Sequence, residues 1–199
     1  MIRLLSIGVI FTALLAGCGS TPSSNHYVIS AQTPEPPLAQ SPALGIGPIQ
    51  VPEYLNRNSM VFQGEGNQLR IVATERWAEP LEDGITRALG MNLASLLKTE
   101  NVRSYPWHPA RAPDYGVKLR VLALDANSNT ATLVAEWLVF NENSEAQISR
   151  RISKLQRPLG GGQTQAAQAA SAYSALLQEL SELIAQVISG DIAGSANPQ

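Results

Sequence analysis

Residues 115–140 read YGVKLRVLALDANSNTATLVAEWLVF and hold the two clearest strands of the chain. Both halves are rich in apolar residues, while Asp, Ala, Asn, Ser and Asn at positions 125–129 favour a turn. Alternate residues of the second half share one face of an extended chain, and they are the apolar Leu133, Ala135, Trp137 and Val139. The stretch therefore predicts two strands, residues 115–124 and 130–140, joined by a turn, with Trp137 in the core.

Shorter strands are predicted on either side of this pair, over residues 26–30, 44–51, 60–63, 69–73, 102–105 and 148–155. The Gly-rich residues 64–68 connect two of these strands in the manner of a hairpin. Apolar and polar residues alternate imperfectly in residues 148–155. This strand is therefore predicted to lie at a sheet edge or to be partly exposed.

A first amphipathic helix is predicted after these early strands. It has about 18 residues, begins beside Pro80, and carries Glu82 and Asp83 near the positive end of its dipole. Its apolar residues recur at helical spacing and are Leu81, Ile85, Leu89, Leu93, Leu96 and Leu97. Such a stripe must pack against another element.

A second amphipathic helix is predicted over residues 164–189, with Thr164 as N-cap, an alanine-rich first half and Gly190 as its stop. Residues 191–199 are predicted to be a disordered tail. The order of strands, helix, strands and helix predicts one α+β domain over residues 26–190. Its architecture would be a two-layer sandwich, with a mainly antiparallel β-sheet and two amphipathic helices on one face.

The N-terminus is typical of a signal peptide over residues 1–17. Arg3 is followed by an apolar run from Leu4 to Ala16, which is shorter than the roughly 20 residues of a membrane-spanning helix. The Leu-Ala-Gly-Cys sequence that ends at Cys18 resembles a bacterial lipobox. In such a sequence the Cys is acylated and becomes the new N-terminus. An ordinary signal peptide followed by a chance Cys is the alternative.

Residues 18–25 are then predicted to be the lipidated Cys18 and a short polar tether. Three acyl chains hold a protein to a membrane essentially irreversibly, whereas one chain binds only marginally. The residue after Cys18 is Gly19, and an Asp there would favour retention in the inner membrane. The prediction is therefore a lipid anchor at the periplasmic face of the outer membrane.

Composition excludes several classes of protein. The chain has 199 residues, 44% of them hydrophobic, with 14 Lys and Arg against 16 Asp and Glu, so its net charge is −2. This balance excludes a strongly basic nucleic-acid binder and gives no reason to expect a general attraction to anionic lipid. With a single Cys and two His, neither an intramolecular disulfide nor a His-rich metal site is expected.

Motifs for catalysis are absent from the sequence, which contains no Gly-x-Ser-x-Gly, His-Glu-x-x-His or Cys-x-x-Cys. The run of three glycines at 160–162 lacks the ending of a phosphate-binding loop and is predicted to be a hinge. His26 and His108 have no motif partner, and the acidic residues around Glu79 suit a helix N-terminus. The sequence therefore predicts no enzyme, cofactor or metal.

The two tryptophans outside the central strands are candidate partner-binding residues. Trp77 precedes the first helix and is assigned either to a capping or core position or to a binding groove. Trp107 stands between Pro106 and His108 in a Pro-rich loop, where an exposed ring could contact a partner. Trp77 and Trp107 are therefore both candidate partner-binding residues.

The chain resembles the PqiC/YmbA family, the auxiliary lipoproteins of ABC-type and MCE-type transport systems in Gram-negative bacteria. The resemblance rests on the lipobox at Cys18, the strand at residues 26–29, the stretch GIGPIQVPEYL at 45–55 and RWAEPL at 76–81. It implies a non-catalytic docking subunit of an envelope-spanning lipid transport assembly that supports membrane integrity. The implied partners are an MCE-domain protein and, through it, an inner-membrane component.

Two kinds of surface are candidates for contacts with other proteins. The exposed strand edges and the alanine-rich side of the last helix are candidate surfaces for a homo-oligomer or for the MCE-domain partner. A lipid-anchored regulator or scaffold of cell-wall machinery is the main alternative. An enzyme that uses His26, His108 or Glu79 is the weakest one, and a lipid-holding groove in the domain is compatible with transport.

Overall fold

The structure is a computed structural model, and it describes residues 23–32, 42–142, 146–160 and 165–195. The signal peptide, Cys18, most of the tether and Thr164 lie outside these residues. The described residues form eight strands and two α-helices. In chain order these are β1 (Asn25–Tyr27), β2 (Leu44–Gln50), β3 (Ser59–Gln63), β4 (Leu69–Trp77), α1 (Leu81–Leu96), β5 (Val102–Ser104), β6 (Tyr115–Ala126), β7 (Thr130–Asn141), β8 (Ala146–Pro158) and α2 (Gln165–Ser195).

Five strands form the larger sheet, in the order β5-β2-β6-β7-β8. The strands β6, β7 and β8 are a long antiparallel meander, as the turn at 125–129 predicts. β2 runs parallel to both of its neighbours, β5 and β6. Parallel neighbours need a crossover, and the chain between β2 and β5 contains α1.

Three strands form a second, smaller sheet in the order β1-β4-β3. β3 and β4 are the predicted hairpin, and β1 pairs in parallel with the other side of β4. The predicted α+β class is confirmed, with mostly antiparallel strands and two helices packed against them. The strands are nevertheless divided between two sheets, whereas the sequence predicted one.

Both helices cover the apolar face of the larger sheet. Every second residue of β7 from Ala131 to Val139 is buried, and Trp137 is fully buried among them. The apolar stripe of α1, which includes Ile85, Leu89 and Leu93, belongs to the same core. Side chains on the opposite face of the sheet are more exposed, so the larger sheet has one covered and one open face.

Residues 28–32 follow β1 and lie against both helices. The predicted strand 26–30 ends at Tyr27, because the next backbone groups bond to helix side chains instead of a strand. The Ser30 amide donates to Ser174 Oγ (3.0 Å), and the Arg87 guanidinium donates to the Ile29 carbonyl (2.8 Å). The Gln32 amide donates to Asn92 Oδ1 (3.1 Å). The start of the domain is therefore tied to its core.

The second helix is longer than the sequence predicted. It passes through Gly190 and ends at Ser195, so the expected disorder from residue 191 is wrong as far as residue 195; residues 196–199 lie outside the described residues. The Tyr115 hydroxyl donates to Asp191 Oδ2 at 2.9 Å. A tertiary bond of this kind can offset the roughly 1 kcal/mol that a Gly costs inside a helix.

Candidate functional site

Trp77 is the last residue of β4 and lies in the core. Its residue surface is only 6% exposed, and its ring centroid is 6.2 Å from that of Tyr173 on α2. The Trp77 amide also donates to the Asn58 carbonyl, which continues the pairing of the hairpin. Of the two assignments for this residue, the structure places the ring in the core and leaves a partner little surface to contact.

Trp107 lies on the open face of the larger sheet, beside β5. Its ring meets that of Tyr105 edge to face, with centroids 5.5 Å apart, and it covers Gly45 of β2. A Cβ atom at Gly45 would come within 2.8 Å of the Trp107 ring and 2.5 Å of Pro113. Glycine is therefore what allows the aromatic loop to lie so close to the strand.

The neighbouring Tyr105 is the functional candidate that sequence reasoning missed. It is 54% exposed, whereas Trp107 is partly buried. The two rings form what we call the aromatic patch, Tyr105 and Trp107. Aromatic side chains offer large contact area at little entropic cost, which suits them to protein interfaces. The sequence could have indicated Tyr105, because Tyr105 and Trp107 flank the same proline, Pro106.

The acidic residues at the start of α1 have structural partners. Glu79 pairs with Arg87, which also holds the Ile29 carbonyl, while Glu82 and Asp83 occupy the first turn of the helix. A depression of about 460 Å³ lies beside them and extends to Tyr105. The arrangement fits the predicted role of these carboxylates at a helix N-terminus.

The two histidines lie in different parts of the fold. His26 is in β1 of the smaller sheet, and His108 follows β5 of the larger one, where its Nδ1 accepts the Ala110 amide at 3.1 Å. Within the described ranges, no three His, Cys, Asp or Glu side chains come close enough together to hold a metal ion.

The alanine-rich side of α2 faces inward. Four of its alanines are buried against the rest of the domain: Ala166, Ala169, Ala170 and Ala172. Small side chains allow the helix to approach α1 and the sheet closely, and this packing uses the surface that the sequence offered to a partner. The prediction of a free alanine-rich face is wrong for these residues.

The strand β8 is the long open edge of the larger sheet, as predicted. It has 13 residues, of which most are exposed, and Ile152 is 66% exposed. Its charged residues are all basic: Arg150, Arg151, Lys154 and Arg157. An edge strand presents unpaired backbone groups, and basic side chains discourage uncontrolled pairing.

A small polar cluster lies where Tyr54 meets the end of β6. Burial raises the pKa of Asp125, although a hydrogen bond with Tyr54 partly offsets that effect. The Tyr173 hydroxyl is buried and has no hydrogen-bond partner among the described residues, and burial raises its pKa. Tyr115 is different, because burial and its bond to Asp191 raise its pKa to about 12. We therefore relate these side chains to the stability of the fold and assign them no functional role.

No helix within the described part of the chain is long and apolar enough to cross a membrane. Known proteins resemble the chain along most of its length. It is 27% identical over 156 residues to the intermembrane transport lipoprotein PqiC of Escherichia coli K12, covering 76% of this chain and 78% of that protein. The PqiC of Shigella flexneri matches equally.

Solved structures share the fold. A crystal structure of an uncharacterized protein has a TM-score of 0.68 at 18% identity, over 84% of this chain and 99% of the other. One from Xanthomonas campestris has a TM-score of 0.64 at 16% identity, over 87% and 99%. Residues 27–185 match a family that consists of transport proteins rather than enzymes. The chain belongs to this family, the ABC-type transport auxiliary lipoprotein component.

Proposed function

We propose that this protein is the outer-membrane lipoprotein subunit of an envelope-spanning intermembrane lipid transport system. It acts there as a non-catalytic docking component and supports membrane integrity. The family match over residues 27–185 is the observation that carries the proposal. The similarity to the PqiC lipoproteins supports the intermembrane setting.

The anchor in this proposal is Cys18, acylated after removal of residues 1–17. The first strand begins at Asn25, so seven Cα to Cα steps of about 3.5 Å limit its distance from the anchor to about 25 Å. The strand is fixed to the domain, because Glu75 of β4 accepts bonds from Asn25 Nδ2 (3.1 Å) and from the Tyr27 hydroxyl (2.6 Å). The domain therefore lies against the membrane. Gly19 after the Cys supports the outer membrane as its location.

The proposed partner is an MCE-domain transport protein, and through it an inner-membrane component. The aromatic patch is the surface we assign to this contact, since Tyr105 is exposed and Trp107 holds it from one side. Self-association is assigned to the β8 edge, which another copy could extend by strand pairing. The molar mass of the mature protein, measured by light scattering, tests that homo-oligomer.

Crosslinking in intact cells tests the proposal. A photo-crosslinking amino acid at Tyr105 is compared with one at Gln186, an exposed residue of α2, and captured proteins are identified by mass spectrometry. We expect an MCE-domain protein to be captured from position 105 and not from position 186. Capture of cell-wall enzymes without an MCE-domain protein would favour the alternative, a lipid-anchored periplasmic regulator or scaffold.

A further inference from the structure

The open face of the larger sheet carries a group of basic side chains on β6 and β8, the two strands that flank β7. The strand register places Lys118, Leu138 and Arg150 side by side, then Arg120, Glu136 and Ile152 in the next row. A third row holds Leu122 and Ala123, Val134 and Lys154 around a bulge in β6. We call this surface the basic face, defined by Lys118, Arg120, Arg150 and Lys154.

The basic face has one carboxylate among four cations. Arg150 pairs with Glu136 at 2.6 Å, and Arg120 lies 3.9 Å from the same carboxylate. A single negative charge is shared by two guanidinium groups, so the surface as a whole remains positive. Lys118, Arg120 and Arg150 also line a shallow depression of about 230 Å³, in which Glu136 is the one carboxylate and the cations remain in excess. Its size and charge suit an anionic headgroup.

Exposed aliphatic side chains stand among these cations. Ile152 is 66% exposed and Leu122 is 41% exposed. Basic residues mixed with exposed aliphatic ones are typical of surfaces that lie in the membrane interface. Phe140 lies next to the row formed by Lys118, Leu138 and Arg150. Its aromatic ring is covered by Lys118, whose Nζ lies 4.7 Å from the ring centroid. Among the described residues, the exposed aromatic side chains of this open face, Tyr105 and Trp107, lie beside β5 and not within the basic face.

We propose that the basic face binds anionic phospholipid headgroups of the membrane to which the chain is anchored. The inference rests on the proposed anchor at Cys18, because a reach of about 25 Å keeps the domain at the lipid surface. The net charge of −2 conceals this attraction, since four cations are concentrated on one side of one sheet, against Glu136 among them and Glu142 beside Gly116 at their margin.

The test uses the mature acylated protein in lipid vesicles. Cys18 is the only Cys of the chain, so Ile152→Cys provides a single site for an environment-sensitive fluorophore. Gln186→Cys on α2 provides a matched site on an exposed surface of the helix layer. Vesicles of phosphatidylglycerol with phosphatidylethanolamine are compared with vesicles of phosphatidylcholine alone. We expect a blue shift at position 152 in the anionic vesicles only, and none at position 186 in either.

A pair of charge variants tests the electrostatic basis. Each basic side chain near an anionic surface strengthens binding about fivefold, so Arg120→Gln with Lys154→Gln should weaken contact of the face about 25-fold. Arg57→Gln with Lys98→Gln removes the same charge from exposed residues elsewhere and should preserve the shift.

Absence of the shift in anionic vesicles, or an equal shift in both kinds of vesicle, overturns the proposal. So does a shift that appears only when the captured transport partner is added, which would assign the face to a protein. If the basic face fails to contact anionic vesicles while the transport partner is still captured from position 105, only this inference is refuted. Failure of partner capture with the shift intact refutes only the transport assignment.

Discussion

Replacing Trp77 with Ala should destabilise the domain, whereas replacing Trp107 should mainly affect the partner. An indole side chain buries roughly 200 Å² on folding, which at about 25 cal/mol per Å² corresponds to about 5 kcal/mol. Trp77 is only 6% exposed, so nearly all of this contribution applies, and large-to-small changes at such sites cost about 3–5 kcal/mol. We therefore expect Trp77→Ala to lower the free energy of unfolding by about 4 kcal/mol.

Trp107 lies in a loop beside β5, and its ring packs against Gly45 and Tyr105. Its replacement by Ala should cost only about 1–2 kcal/mol, since the ring is already partly exposed to solvent. Urea unfolding followed by circular dichroism measures both variants without depending on tryptophan fluorescence. If Trp77→Ala fails to fold, Trp77→Phe provides the measurement, with a smaller loss of stability expected in the same direction.

Partner capture separates the two roles. Trp107→Ala should reduce capture of the transport partner while the domain remains folded, and Trp77→Phe should leave capture unchanged. A loss below about 1 kcal/mol for Trp77→Ala, together with lost capture, would show that Trp77 contacts the partner and that the packing argument is wrong. Normal capture by a stable Trp107→Ala variant would remove Trp107 from the interface.

Three other substitutions have defined outcomes. Tyr173→Phe removes a buried hydroxyl without a partner, so the thermal midpoint should stay the same or rise, by a change worth up to about 1 kcal/mol in scanning calorimetry. The pKa of Asp125 is raised on folding above its ordinary 3.8, so this group supports the fold most below pH 3.8 and loses that contribution as the pH rises through its folded pKa. Asp125→Asn should therefore gain stability relative to the parent between pH 3 and pH 7 in urea unfolding, and no relative gain would contradict the burial argument. Asp191→Ala removes the acceptor of the Tyr115 hydroxyl, so amides of the last turn of α2 should exchange hydrogen faster by mass spectrometry; unchanged protection would show that the bond does not hold the helix end.

Local patterns were sufficient for most strands and helices. The alternation that buries Trp137, the Gly-rich hairpin after Gln63 and the stripe along α1 are all properties of consecutive residues, and each predicts its element directly. The ends of elements depend on distant partners. Helix α2 passes Gly190 with support from Tyr115, and the strand at β1 ends where Ser174 and Asn92 accept its following amides.

The arrangement into two sheets could not be predicted in the same way. β2 lies between β5 and β6, and β1 pairs in parallel with β4, so these contacts join residues that are 50 or more positions apart in the chain. No periodicity within a strand specifies such partners. The basic face has the same origin, since it forms only when the strand register places Lys118 and Arg150 in one row across β7. The net charge of the whole chain therefore does not reveal that these basic side chains lie close together.

The proposed contacts of the larger sheet use different parts of it. The basic face presents side chains roughly perpendicular to the sheet, whereas the edge of β8 presents backbone groups within its plane. The aromatic patch shares the open face with the basic residues, but it lies beside β5, at the opposite end of the strand order from β8. A copy paired along β8 would therefore continue the same sheet and extend its basic face over the membrane. Neutralising Arg120 and Lys154 should then lower membrane contact without changing the molar mass of the assembly, and a change in both would show that one surface serves both contacts.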